Sequence, residues 1–172
     1  AAQKGTGKWA SQTAFDIGAP IPTLNAAVES RLISALKAER VSAAQVLGRA
    51  GRFAGDADRL IAIAEQALYA SKITSYAQGL SLLRMASQEY GWGLEIARIV
   101  PVWRAGCIIR AALLSDITHA YRRAPDLPNL LLDTTFTQAV LSRESAWRET
   151  LQTAVGLGIP MLAVGASLAY FD

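Results

Sequence analysis

The side chains of this chain that are equipped for chemistry are few, and they gather near its first residues. Lys4, Thr6 and Lys8 alternate with glycines in the run Gln3-Lys4-Gly5-Thr6-Gly7-Lys8-Trp9. Two ammonium groups, a hydroxyl and the free N–H groups of a glycine-spaced turn all donate hydrogen bonds, so the chemistry they suit is holding an anion such as a phosphate. Arg31 offers a second arm, because its planar guanidinium matches phosphate oxygens. A plainer reading stands beside this one: lysines in an exposed glycine loop are solvated, and Arg31, with Glu29 and Lys37 nearby, belongs to a solvent-facing helix surface with ion pairs.

Other chemistry is thinly supplied. The chain has one Cys and one His, which excludes an internal disulfide and a multi-histidine metal site. Cys107, between Trp103 and Ile108-Ile109, reads as a small buried hydrophobe, and His119, near the basic end of a helix, as a surface residue. Neither is a candidate nucleophile or general base, so any chemistry here must use Lys, Arg, Asp, Glu or hydroxyl groups.

Gly5-Thr6-Gly7-Lys8-Trp9-Ala10 also fits the dinucleotide-binding pattern, with Glu29 where a ribose-binding acid would stand. That pattern works only when a strand delivers the glycine turn to a helix, and the four residues before Gly5 do not read as a strand. A phosphate-cradling loop fails as well, since Ala2 replaces the required glycine and Trp9 replaces Ser or Thr. No cofactor site is expected within these residues.

The 172 residues are 52% hydrophobic and 18% charged, with 17 basic and 14 acidic side chains and a net charge of +3. Such a chain buries a core, and the small charge surplus argues against a disordered segment or a nucleic-acid-binding arm. Helical periodicity dominates, so the fold class is all-α. A first helix over 9–17 should end at Gly18. Thr23 should cap a second after the rigid Pro20-Ile21-Pro22 connector, and this second helix should bend or end near Arg40. A glycine-rich loop over 48–56 then leads into a long central helix over 57–90, whose core face carries Leu60, Ile61, Ala64, Leu68, Ile73, Tyr76, Leu80 and Leu83. Gly79 within it should permit close helix packing.

Pro101 should open a helix running to Arg123, and Asp133 or Thr134 should cap another that precedes the helix of Trp147. The uncharged stretch after Glu149 has the length of a membrane span, roughly 20 residues. However, Gly158-Ile159-Pro160 reads as a helix stop and start, so two buried helices and no membrane partner are expected. No tandem repeat or low-complexity segment is apparent.

From Lys4 to Trp9 the sequence resembles the decarboxylating 6-phosphogluconate dehydrogenase family. The likeness continues through Ser34-Ala35-Leu36-Lys37-Ala38-Glu39-Arg40, the stretch from Ala67 to Gly79, Trp103-Arg104-Ala105-Gly106-Cys107-Ile108-Ile109-Arg110, Asn129-Leu130-Leu131-Leu132-Asp133 and Gly158-Ile159-Pro160-Met161. It departs most over 48–56 and 162–169, and at Ala10, where the family commonly has Thr. The resemblance implies a helical substrate-binding and dimerisation domain spanning 1–172, cut from a longer enzyme. It implies 6-phosphogluconate as ligand, with Lys4, Thr6 and Arg31 holding its phosphate, a second copy as partner and a cytoplasmic setting.

NADP, together with the family's Lys base and Glu acid, would belong to a nucleotide-binding domain before Ala1. A tail after Asp172 would supply an Arg and a His to the partner subunit. The whole enzyme would convert 6-phosphogluconate to ribulose 5-phosphate and CO2 in the pentose phosphate pathway, while these residues alone would bind without turnover. The rival expectation is a non-catalytic helical scaffold of the same descent, with Lys4, Thr6 and Arg31 merely solvated.

Overall fold

The computed structural model describes residues 5–48 and 51–172, so Lys4 lies outside the described residues. Among these the chain is helical throughout, with no strand. In order come α1 (Thr6–Asp16), α2 (Pro22–Ala35), α3 (Lys37–Leu47), α4 (Ala57–Glu89), α5 (Ile96–Ile99), α6 (Leu113–Arg123), α7 (Thr134–Leu141), α8 (Glu144–Gly156) and α9 (Leu162–Phe171). Short 3-10 turns occupy Val100–Arg104 and Leu130–Leu132. No helix here is long and apolar enough to cross a membrane.

The 33 residues of α4 make a rod about 50 Å long, and α2, α7, α8 and α9 pack along it. Asp56 starts it, its carboxylate accepting hydrogen bonds from the N–H groups of Asp58 at 3.0 Å and Arg59 at 3.1 Å. Gly91 and Gly93, both with positive φ, end it. The buried face differs from the expected one: Ile61 and Leu68 are exposed, while Ala67, Ala70, Ser71, Thr74 and Ala77 are buried beside Ile73 and Leu80. Small residues face inward because α8 and α9 approach α4 closely, and the large side chains are left outside. The core is completed by Leu114, Ile117, Leu130, Phe136 and the fully buried Trp147.

Thr23 does not cap α2. Ile21 is the N-cap and Pro22 takes the first helical position, which suits its fixed φ. The Thr23 N–H instead donates to Gln78 Oε1 at 2.9 Å, and Gln78 Nε2 donates to Thr23 Oγ1 at 2.8 Å. Thus a buried amide on α4 satisfies an orphan donor of α2 and pins the two helices in register. The break after α2 falls at Leu36 (φ −81°, ψ 49°), ahead of Arg40, and α3 that follows buries none of its residues.

The helix expected from Pro101 to Arg123 is two elements. The 3-10 turn ends at Arg104, a loop over 105–112 intervenes, and α6 begins at Leu113. Gly106, at φ 65°, turns the chain out of helical geometry. The apolar run after it is consequently displayed at the surface, Ile108 completely, with Cys107 half-buried.

The structure also shows a repeat. Gln12-Thr13-Ala14 and Gln152-Thr153-Ala154 end two helices, each followed by a positive-φ glycine (Gly18 at 68°, Gly158 at 69°) and then by Pro20 or Pro160. In both turns the N–H one residue past the glycine donates to the buried alanine carbonyl, Ala19 to Ala14 and Ile159 to Ala154, each at 2.8 Å. The N-caps of the helices that follow match as well, Ile21 at φ −128°, ψ 52° and Met161 at φ −129°, ψ 53°. The hairpins α1–α2 and α8–α9 are therefore two copies of one unit, and α2 packs along α9.

Candidate anion-binding site

Gly5, with φ 94°, stands at the N-cap of α1 and has no side chain to offer the first turn. The first N–H with a helical acceptor is that of Trp9, which donates to the Gly5 carbonyl at 2.9 Å. The N–H groups of Thr6, Gly7 and Lys8 precede it, at the positive end of the helix dipole, where anions are favoured. The side chains of Thr6 and Lys8 are exposed beside them.

Gly7 brings this helix start against α2. A Cβ placed there would lie 2.7 Å from Val28 Cγ2, so glycine at this position is what leaves room for the Val28 side chain. Three residues beyond Val28, and therefore on the same side of α2, is the exposed Arg31. The ion pairs expected on this helix surface are not formed: among the described residues neither Arg31 nor Lys8 pairs with a carboxylate. The structure thus places Thr6 and Arg31 on adjoining helices, both with solvent access.

Thr6 also touches a cavity of about 660 Å³ between α1, α2, α4 and the 105–112 loop. Its long wall is one stripe of α4, where Lys72, Ser75, Tyr76, Gly79 and Leu83 recur at helical spacing. The loop closes the other side, held by a 2.6 Å hydrogen bond from the Tyr76 hydroxyl to the Ile109 carbonyl. Burial, and secondarily the Cys107 thiol nearby, push the Tyr76 phenol above its ordinary value, so it stays protonated as a donor.

Gly79 does not serve close packing, since a Cβ there would meet nothing within 4 Å. Instead it lines the cavity. The α4 stripe is readable from helical spacing, but Arg110 reaches the same cavity only through the loop. His119, exposed on α6, is not among the lining residues.

The family profile described as "6-phosphogluconate dehydrogenase, C-terminal domain" matches residues 1–172. The chain belongs to the 6-phosphogluconate dehydrogenase family. Its all-helical architecture is that of the family's C-terminal domain. A Synechococcus elongatus protein named "6-phosphogluconate dehydrogenase, decarboxylating" is 48% identical over 174 residues, covering 100% of this chain and 37% of that protein. A Bacillus subtilis relative named "6-phosphogluconate dehydrogenase, NADP(+)-dependent, decarboxylating" is 45% identical, again covering 100% of the chain and 37% of its own length.

Among solved structures, Plasmodium falciparum 6-phosphogluconate dehydrogenase superposes with a TM-score of 0.93 at 38% identity, covering 99% of this chain and 37% of that one. That enzyme was described in its apo form, with its cofactor NADP+ and with its substrate 6-phosphogluconate. The chain therefore spans little more than a third of the length of the relatives it matches. The Gly5–Gly7 turn leads into α1, and the described residues include no strand of the kind that delivers the glycine turn in the dinucleotide-binding pattern.

Proposed function

We propose that this domain holds the phosphate end of 6-phosphogluconate for a decarboxylating 6-phosphogluconate dehydrogenase. The observation that carries this reading is the uncapped start of α1, seated through Gly7 against α2 one turn before Arg31. Thr6, the first-turn N–H groups and Arg31 supply donors suited to a phosphate dianion, and Lys4, two residues before Thr6, is assigned to the same role. These groups position the sugar acid without exchanging protons with it. In the whole enzyme the C3 hydroxyl is oxidised, CO2 is lost and ribulose 5-phosphate forms. NADP is the oxidant, held by residues other than those described.

The test is a calorimetric titration with 6-phosphogluconate. Binding should be saturable and weakened at least tenfold by Arg31→Ala and by Lys4→Ala. Absence of both heat and thermal shift in the wild type would favour the rival reading, a helical scaffold with solvated cations.

The same domain is proposed to pair two copies in a cytoplasmic enzyme. α3 buries nothing within the chain, yet it exposes Val41, Val46 and Leu47 in continuity with Leu32, Ile33 and Leu36. An apolar surface of this kind suits a self-complementary interface. Sedimentation should give a dimer at micromolar concentration, and Val41→Asp should shift it toward monomer.

A further inference from the structure

Gln78 has no solvent exposure, and the Thr23 that it meets is nearly as deep. Burying an amide costs free energy that its hydrogen bonds offset, and an apolar pair of the same shape would serve stability about as well. What the amide adds is direction. α9, along which α2 packs, is built of apolar and small residues, and burial of such surface is non-directional. The two hydrogen bonds, 2.9 Å into Gln78 Oε1 and 2.8 Å from Gln78 Nε2, form together at only one setting of α2 against α4.

A rigid helix carries that setting to the anion site. Val28 lies about 7.5 Å along α2 from Thr23, and Arg31 about 12 Å, at the rise of an α-helix. Val28 is the side chain that takes the room left by Gly7, with too little to spare for a Cβ. A slide of α2 by one residue, about 1.5 Å, would unseat Val28 from Gly7 and carry Arg31 away from Thr6.

The other hairpin is set differently. It has Ala163 at the place of Thr23, without a hydroxyl to receive an amide, and its Arg148 is braced by Glu144 and Asp172. Among the described residues Arg31 and Lys8 have no such carboxylate. The corner of α1 and α2 therefore takes its setting from within, at Gln78.

We propose that Gln78 is a positioning residue for the anion site: acting through Thr23, it sets α2 so that Arg31 and Thr6 face one phosphate group. This role rests on the phosphate reading of that site.

The test is calorimetric titration of 6-phosphogluconate into the whole 172-residue protein and its variants. Gln78→Met keeps the length of the side chain, removes the amide and should weaken binding about tenfold, the scale of one hydrogen bond to a charged group. Thr23→Val, which removes the acceptor of the amide, should weaken it about threefold, and Thr23→Ser, which restores that acceptor, should recover wild-type binding. With Arg31→Ala already present, Gln78→Met should add less than about twofold, because the two changes remove one interaction. Val140→Ala truncates a buried side chain on α7, which packs on α4 and the Leu130–Leu132 turn; it should lower the melting temperature and leave binding unchanged.

The positioning role is overturned if Gln78→Met or Thr23→Val binds like wild type, if Gln78→Met weakens binding equally with and without Arg31→Ala, or if Val140→Ala weakens it as much. Should Gln78→Met fail to fold, Thr23→Val and its recovery by Thr23→Ser decide. A wild type that takes up no 6-phosphogluconate overturns the phosphate reading and this role with it, whereas a wild type that binds beside an unaffected Gln78→Met overturns this role alone.

Discussion

Where α1 carries Gly7, the equivalent position of α8 carries Trp147, and the two repeated hairpins diverge from that point outward. In α8–α9 the indole is fully buried and packs against Phe171, ring centroids 6.0 Å apart. Arg148 then bridges the hairpin: its Nε donates to Glu144 at 3.0 Å, and its remaining nitrogens bond the Asp172 carboxylate. In α1–α2 Lys8 stands in the place of Arg148, Leu32 in that of Asp172 and Arg31 in that of Phe171. The corner is the same, but the acid that would neutralise the cation is missing and an aromatic brace is exchanged for a second cation. One copy is closed upon itself, and the other keeps its charges available.

That contrast can be broken most severely at Trp147. Replacing a fully buried indole by Ala leaves a large cavity, so Trp147→Ala should lower unfolding stability by about 3–5 kcal/mol in denaturant titrations. An effect below about 1 kcal/mol would show that the second hairpin is not held from its core.

Gly7→Ala tests the open copy. The added methyl meets Val28, and overpacking of this kind costs about 1–3 kcal/mol, enough to outweigh the helix propensity gained. Combining it with Val28→Ala should recover most of the loss, and if the double variant is no better than the single one the close approach is not the reason for glycine.

The smallest expected effect is at Asp172. Hydrogen bonds from Arg148 hold its carboxyl below the ordinary carboxylate value. Its contribution is therefore complete above the unfolded pKa and fades as pH falls through the lower folded one. The melting temperature of wild type should exceed that of Asp172→Asn at neutral pH, with the gap closing in strong acid. A gap independent of pH would assign the effect to packing.

Much of this fold is written in local signals. Gly18, Gly91 and Gly158 end helices because they supply positive φ, and Asp133 caps α7 through the N–H groups of Thr135 and Phe136. What local pattern cannot reach is the choice between chemically similar alternatives. Thr23 looks like a cap until Gln78, 55 residues away, meets it. Ile61 and Leu68 look like core until alanines take the inner face. The loop over 105–112 interrupts an apolar run that periodicity alone extends.

The repeat escapes notice because its copies lie 140 residues apart, with unrelated helices between them. In the site, Thr6 and Arg31 stood out by charge and glycine spacing. Lys72 and Arg110, which line the cavity that Thr6 touches, did not, since one is an ordinary helix-surface lysine and the other depends on where a loop folds.

The pairing of α2 with α9 also governs the order in which the molecule can assemble. α2 meets α1 and α4 first, but its main packing partner, α9, is synthesised some 140 residues later. Contacts of such long sequence separation demand the closure of a large loop before they return any stabilisation, which slows folding. Until α9 arrives, α4 covers part of the first hairpin and the flank that α9 takes stays open. The corner that seats Thr6 beside Arg31 is local to α1 and α2, whereas the flank that α9 covers is among the last parts of the described domain to acquire a fixed shape.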